Sequence, residues 1–261
     1  LIRAEADTSE LEEKINYLHQ HDLVTDLINR QTFMGKLKSS LTLAMNGVHQ
    51  CAVIYIAIDD FQPIREKIGI AGCDTLIGDV AKILREAASA EQIVARFGAN
   101  SYACLSIIKE KPLIEKFAED FISKIEDQVF EIGDQSISIT CSAGMCFIDQ
   151  NSPDNANEII SRAEKTCDEV QNSGGNSAST FIPKVGEMTV QEEVGAAADL
   201  IKDAINQNRI SGVYQPIVSI KAEAGERYFS SLLLNEEDGS PIEHKINQVY
   251  PDKTGTAKTL D

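Results

Sequence analysis

Hydrophobic and polar residues follow two different periods along the first part of the chain. Phe33, Leu37 and Leu41 recur at helical spacing and predict an amphipathic helix over residues 32–45. Residues 51–58 (CAVIYIAI) form an almost continuous apolar run rich in β-branched side chains, which is typical of a central buried strand. We therefore expect helices that cover a sheet.

Turn and cap residues divide the following segments into further elements. Residues 98–101 (GANS) separate short apolar runs at 93–97 and 102–108, and this spacing predicts a hairpin. Pro112 is expected to open a helix, because proline is favoured in a first helical turn. The pattern also predicts a helix at 73–88, a long strand at 137–148 and a helix at 158–172. This mixture over about 160 residues predicts an α/β fold, an α+β sandwich.

Beyond these elements, residues 183–190 are expected to form a linker to a second unit. The pattern there predicts a helix at 190–206, strands at 212–220 and 227–234, and a polar helical segment from about His244. This unit has few large apolar residues and would be only marginally stable alone.

Residues 1–20 predict a linker helix with a narrow apolar stripe. Leu11, Ile15 and Leu18 lie at helical spacing among Glu, Lys and Gln residues. Such a helix either packs on its own domain or pairs with a second copy as a coiled coil, and three apolar positions do not distinguish the two. A homodimer formed through residues 1–20 is therefore one expectation.

The composition narrows the classes of partner. The 261 residues include 41 acidic and 24 basic side chains, a formal net charge of −17. A nucleic-acid partner is not expected, since phosphate binding needs clustered Lys and Arg, whereas a basic protein partner suits this charge, which also favours solubility. No run approaches the roughly 18 apolar residues of a membrane span. The chain begins at Leu1 without a signal peptide, so we expect a piece of a larger cytoplasmic protein.

The six cysteines are scattered, mostly within apolar runs, and no two have CxxC spacing. We expect them to be buried free thiols in a reducing compartment rather than zinc ligands.

Several short motifs occur in a fixed order over residues 21–182. Residues 22–30 (DLVTDLINR), followed by Phe33, are similar to the pattern DxLTGLxNRxxF, and residues 96–102 (RFGANSY) occupy the place of RYGGDEF. The other matches are residues 58–61 (IDDF) at DxDxF, Gly69 with Asp74 at GHxxGD, residues 142–144 (SAG) at SxG, and residues 174–176 (GGN) at GxN. Together they resemble GGDEF domains, the diguanylate cyclases of bacterial cyclic-di-GMP signalling. The resemblance implies a nucleotidyl-cyclase, palm-like fold with a central, mainly antiparallel sheet flanked by helices.

The resemblance also implies a two-metal reaction whose ligands this chain lacks. A cyclase of this family joins two GTP molecules, and two divalent cations bridge the triphosphate and activate the 3′-hydroxyl. The family places carboxylates for Mg²⁺ where this chain has Ala57 and Asn100, and a Glu where it has Ser101. We therefore expect no cyclase activity and no cofactor, Mg²⁺ and GTP included.

Two residues remain as candidates for nucleotide contact. Asp74 lies where the family accepts hydrogen bonds from the guanine edge, and the alternative is a carboxylate that caps the helix predicted from residue 73. Arg65 replaces the family's guanine-reading Asn and is either a phosphate contact or an exposed helix residue.

The family's other anion contacts are replaced. Its phosphate-binding Lys and Arg fall at Gln171 and Gly175. The RxxD motif that binds the product falls at Ser89 and Gln92, which provide neither a guanidinium nor a carboxylate.

Residues 214–218 (YQPIV) resemble the opening of EAL domains, the phosphodiesterases commonly fused after GGDEF domains. The match implies that residues 191–261 are the N-terminal fragment of such a domain. Its catalytic Glu would fall at Phe229, which implies that hydrolysis is lost, while Gln215 persists as a nucleotide-contact candidate or a polar residue at a strand end.

Three interpretations follow. The first is a catalytically inactive GGDEF–EAL module of the FimX type that relays signals by contact with other domains of its parent protein and with protein partners. The second is a GTP-binding domain that regulates a neighbouring EAL domain. The third is an active cyclase or phosphodiesterase with metal ligands at other positions, of which Asp59 and Asp60 are the nearest.

Overall fold

The computed structural model describes residues 14–108, 110–183, 188, 190–217 and 227–235. The chain divides into two units, Leu1–Pro183 and Lys184–Asp261. The helices of the first unit are α1 (residues 14–20), α2 (Arg30–Met45), α3 (Phe61–Ala87), α4 (Lys111–Glu126) and α5 (Ala156–Asn172). Its strands are β1 (Gln50–Ile58), β2 (Gln92–Arg96), β3 (Ser101–Ile108), β4 (Val129–Ile132), β5 (Gln135–Ser138), β6 (Cys141–Ile148) and β7 (Ala178–Thr180).

A five-stranded sheet in the order β2-β3-β1-β6-β7 is the centre of the first unit. All its pairings are antiparallel except the parallel pair β6–β7, and β4 and β5 form a separate hairpin. The predicted α/β fold is therefore confirmed, with a mainly antiparallel sheet flanked by helices.

Strand β1 is apolar throughout because both of its faces are buried. Ile54 and Ile56 face a core that α3 and α4 share, whereas Val53 and Tyr55 face a second core with α2 and α5. Successive side chains of a strand point to opposite faces, so a strand covered by helices on both sides needs apolar residues at every position.

Helix α5 lies unusually close to the sheet at Gly144 of β6. A Cβ atom there would lie 2.0 Å from the Ala163 carbonyl oxygen and 2.4 Å from the Cys167 nitrogen. Only glycine permits this approach, which brings the C-terminal half of α5 to the end of β1.

The prediction for α3 is wrong at its start. This helix begins at Phe61 rather than at residue 73, and Gly69 interrupts it with a left-handed φ of +70°. The predicted helix over 73–88 corresponds to the part after this kink. Pro63 and Gly69 obscured the first part, because both residues usually mark turns.

The long strand predicted over residues 137–148 is also wrong. The structure breaks it at residues 139–140, since β5 pairs with β4 whereas β6 joins the central sheet. Strands β4 and β7 were not predicted. Both are short, and β7 depends on a parallel pairing with β6 across the length of α5.

All six cysteines are buried and free, as predicted. Burial raises the pKa of the Cys104 thiol to about 12, which keeps it protonated and unreactive at neutral pH.

The second unit contains α6 (Val190–Asn206), β8 (Ile210–Ile217) and β9 (Arg227–Leu234). Strands β8 and β9 pair antiparallel, and Ile201 and Ala204 of α6 are buried. The helix over 190–206 is confirmed, the first strand begins two residues before its predicted start, and the polar helical segment predicted from about His244 lies outside the described residues. Across the described part of both units, no helix has the length and apolar character needed to cross a bilayer.

Candidate functional site

The sheet brings the three replaced signature positions together at one end of β1. Ala57 pairs with Ser101 of β3 on one side and with Ser142 of β6 on the other. The backbone N–H of Ile58 donates to the carbonyl oxygen of Asn100 at 3.0 Å. Residues that are about forty positions apart in sequence therefore form one cluster, as strand pairing requires.

Asn100 presents a hydrogen-bond donor to this cluster. Its Nδ2 donates to the carbonyl oxygen of Ile58 at 3.1 Å, and Nε2 of Gln171 approaches the same oxygen at 3.4 Å. The neighbouring Ala57 contributes a buried methyl group. The side-chain amides of Asn100 and Gln171 thus both donate to the Ile58 carbonyl oxygen at the end of β1.

Asp59 is the buried carboxylate of the cluster, and neutral groups surround it. Thr140 Oγ1 donates to it at 2.8 Å, Ser142 Oγ at 2.7 Å and Gln171 Nε2 at 2.9 Å. The backbone N–H of Asn176 donates at 3.0 Å. A carboxylate has about four lone-pair directions, so these four donors satisfy Asp59 without a cation.

Gly175 allows the final turn after α5 to reach Asp59. Its φ is +70°, and a Cβ atom would lie 2.8 Å from Oδ2 of Asp59. An arginine at this position, as in the family pattern, would collide with the carboxylate or displace the turn.

Ser101 is bound by a tyrosine that the sequence analysis did not identify. The Tyr55 hydroxyl lies 2.9 Å from Ser101 Oγ and 3.2 Å from Glu164 Oε1. Burial, with a smaller contribution from Glu164, raises the pKa of Tyr55 to about 12. The neutral phenol is in hydrogen-bond contact with Ser101, and no sequence signal distinguishes Tyr55 from the apolar residues of β1.

The residues at this end of the sheet do not fit a two-cation site. Mg²⁺ requires hard oxygen ligands in octahedral geometry, whereas the cluster presents a methyl group, amide N–H groups and a carboxylate already bound by four donors. Asp60, the other candidate ligand, is exposed and precedes α3 with a φ of +46°. Among the residues that the structure describes, no three His, Cys, Asp or Glu side chains are grouped to hold a metal ion.

Arg65 and Asp74 lie on α3, on opposite sides of the kink, and both are exposed. Burial raises the pKa of the Cys73 thiol, and Arg65 and Asp74 shift it in opposite directions, so both charges lie near this thiol. The alternative role of Asp74 as a helix cap is wrong, because the second part of α3 begins directly after Gly69 and Asp74 lies more than one turn inside it.

Gln215 and Phe229 are opposite each other in the pairing of β8 with β9. Their side chains lie outside the described part of the structure.

Arg96 lies at the end of β2, just before the turn that leads to β3. It joins the N-terminal loop, residues 22–30, to the sheet. Its Nη1 lies 3.1 Å from Oδ1 and 3.3 Å from Oδ2 of Asp22, and its Nε donates to the Gly98 carbonyl oxygen at 3.4 Å. Although partial burial raises the pKa of Asp22, hydrogen bonds from Thr25 and Arg96 outweigh it and hold that pKa below its ordinary value.

Comparison with known proteins agrees with this architecture. The chain is 24% identical over 87% of its length to the cyclic di-GMP phosphodiesterase PdeB of Shewanella oneidensis, and 25% identical over 70% of its length to the probable diguanylate cyclase DgcE of Escherichia coli. It spans only 26% and 17% of these two proteins. Among solved structures, the FimX GGDEF domain of Pseudomonas aeruginosa superposes with a TM-score of 0.59 and 26% identity, over 62% of this chain and 98% of that domain.

The family model described as "Diguanylate cyclase, GGDEF domain" matches residues 19–177, which is more than half of the chain and includes the cluster around Asp59. The chain therefore belongs to the GGDEF domain family.

Proposed function

We propose that this chain is a catalytically inactive GGDEF module that acts in cyclic-di-GMP signalling through protein contacts. The observation that carries the proposal is the bonding of Asp59 and of the Ile58 carbonyl oxygen. Neutral side-chain and backbone donors occupy both groups, where a two-metal enzyme needs oxygen ligands that are free to bind cations.

The expected loss of rate is large. Removal of one preorganised electrostatic group costs on the order of 10²–10³ in rate. Replacement at Ala57, Asn100 and Ser101 together places cyclase turnover below detection.

Product binding at the RxxD position is lost in the same way. The Ser89 backbone N–H donates to the Gln92 side-chain oxygen at 2.8 Å, so this pair closes its own turn. Neither side chain offers the charged fork that a phosphate diester requires.

The second unit is proposed to be the start of an EAL domain in a larger cytoplasmic protein. The chain covers only a fraction of PdeB, whose name describes a phosphodiesterase. With Phe229 at the position of the catalytic Glu, this unit would act through contact with other domains of the parent protein rather than by hydrolysis.

Homodimerisation through residues 1–20 is part of the proposal. Ile15 and Leu18 of α1 are about half exposed, at 48% and 50%, and present the apolar stripe to solvent. Light scattering of chains with and without residues 1–20 tests this, and identical masses would contradict it.

The test of inactivity is incubation of the purified chain with GTP and Mg²⁺ or Mn²⁺, followed by chromatography for cyclic-di-GMP. We expect no product, and appreciable turnover would overturn the proposal. A matched variant, Gln171→Ala, removes one donor from Asp59 and one from the Ile58 carbonyl oxygen. It is expected to remain inactive because positions 57 and 100 still have no carboxylate.

A second candidate function is GTP binding without turnover. It is favoured by Arg65 and Asp74, which expose opposite charges near the kink of α3. Calorimetry with GTP tests it: if binding heat is observed, Asp74→Ala should abolish it, and absence of heat removes this candidate.

A further inference from the structure

The N-terminal loop contains an aspartate in a conformation that favours glycine. Asp26 has a φ of +59°, and the family pattern has glycine at this position. Aspartate tolerates left-handed backbone better than most residues, but the conformation still costs energy relative to glycine. An observed outlier of this kind points to a role for its side chain.

The Asp26 carboxylate joins two helices of the first unit. The Tyr17 hydroxyl of α1 donates to Oδ1, and Nη1 of Arg85 in the last turn of α3 donates to Oδ2 at 3.1 Å. The hydrogen bond to Asp26 raises the pKa of Tyr17, so the phenol stays protonated and remains a donor at neutral pH.

The Tyr17 ring is also held within its own segment. It stacks on His21 with ring centroids 3.9 Å apart and an interplanar angle of 13°. Nδ1 of His21 lies 3.0 Å from the Tyr17 carbonyl oxygen. The Tyr17 side chain is therefore held by two contacts, one with the His21 ring and one with the Asp26 carboxylate.

Polar contacts, not core packing, hold α1 on the domain. Every residue from 14 to 20 is exposed. Among the described residues, Asn29 adds two contacts: its Nδ2 donates to the His19 carbonyl oxygen at 2.7 Å, and its backbone N–H donates to the Gln20 carbonyl oxygen at 2.8 Å. A helix held in this way can be released at small energetic cost, because exposed polar contacts are individually weak.

We propose that Tyr17, Asp26 and Arg85 form a latch that fixes α1 to the end of α3, and that its release lets α1 reorient. The latch has two states, docked and released, and a contact that pulls on α1 selects between them. The device does not depend on whether the Asp59 cluster is catalytic.

Hydrogen exchange followed by mass spectrometry on the full chain tests the latch. Tyr17→Phe keeps the ring and removes only the hydroxyl, while Arg85→Gln removes only the cation. Each is expected to speed amide exchange in residues 15–20 by roughly three- to tenfold, with β1 amides unchanged. Glu86→Gln is the matched control, because it removes the charge of an exposed side chain beside Arg85, and it should not change the exchange rate.

The Asp26→Gly background makes the test decisive. Removal of the shared carboxylate should release α1 by itself, so Tyr17→Phe and Arg85→Gln should then add nothing. Unchanged exchange in α1, additive effects in the Asp26→Gly background, or a rise that spreads equally to β1 would each overturn the latch.

Discussion

Two regions of the first unit hold an aspartate in different ways. The N-terminal loop, residues 22–30, still carries a charged pair, because Arg96 contacts both oxygens of Asp22. The Asp59 cluster at the end of β1 also contains a buried carboxylate, but its partners are hydroxyl, amide and backbone groups.

The difference separates residues that hold the fold from residues that hold a ligand. The pair of Asp22 and Arg96 joins the loop to the sheet whether or not a substrate is present. A second carboxylate close to Asp59 would repel it in the absence of a cation, whereas neutral hydrogen-bond donors stabilise its negative charge. Asp59 accepts hydrogen bonds from three separate parts of the first unit, namely residues 140–142, α5 and the turn after α5.

The sharpest way to break this comparison is to remove Asp59. Asp59→Ala would remove the acceptor of the buried Ser142 hydroxyl and of the partly buried Thr140 and Gln171 donors, and should lower the free energy of unfolding by about 3–5 kcal/mol. Urea unfolding followed by circular dichroism measures this. The matched control is Asp60→Ala, which removes an exposed carboxylate one residue away. A loss below that of the control would show that Asp59 has no structural role.

Breaking the charged pair should cost less. Arg96→Met keeps the aliphatic part of the side chain but removes the guanidinium from Asp22, and should lower the free energy of unfolding by about 1–3 kcal/mol, because the pair is only partly exposed. The same urea experiment measures it, with Lys38→Met, which removes an exposed cation of α2, as the control. An effect equal to that of Asp59→Ala would remove the contrast between the regions.

The pair of Asp22 and Arg96 predicts that the stability of the protein depends on pH in the acid range. Asp22 has a pKa below its ordinary value of 3.8 in the folded chain. Its contribution to stability is thus complete above 3.8 and is lost as the pH falls through the lower, folded-state pKa. Stability measured from pH 5 downward should decline less steeply in Asp22→Asn than in the unaltered chain, and identical slopes would contradict this assignment.

The smallest expected effect is that of the Tyr55 hydroxyl. Tyr55→Phe leaves the ring in the core and removes its contacts with Ser101 and Glu164, which should lower the free energy of unfolding by about 1 kcal/mol. Thermal unfolding measures the shift. A variant more stable than the unaltered chain would mean that the hydrogen bonds of the Tyr55 hydroxyl do not stabilise the fold.

Strong local patterns were sufficient for several elements. β1, α2 and the hairpin of β2 with β3 were predicted because continuous apolar runs, helical spacing and a glycine-containing turn each have a direct structural meaning. The first half of α3, the break before β6 and the strand β7 were not. Their positions depend on a kink at Gly69 and on pairings with distant strands, which a local window does not contain.

For the site, sequence alone determined which chemical groups occupy the signature positions. A methyl at Ala57, an amide at Asn100 and a hydroxyl at Ser101 follow directly from the residue types. Only the tertiary structure decided which groups surround these positions and the neighbouring Asp59. Gln171 and Asn176 reach Asp59 from α5 and from the turn after it, and Tyr55 reaches Ser101 from the neighbouring strand β1. Their roles depend on distances between segments far apart in the chain. A residue type specifies which bonds a side chain can make, but the packing of helix against sheet selects the partners with which it makes them.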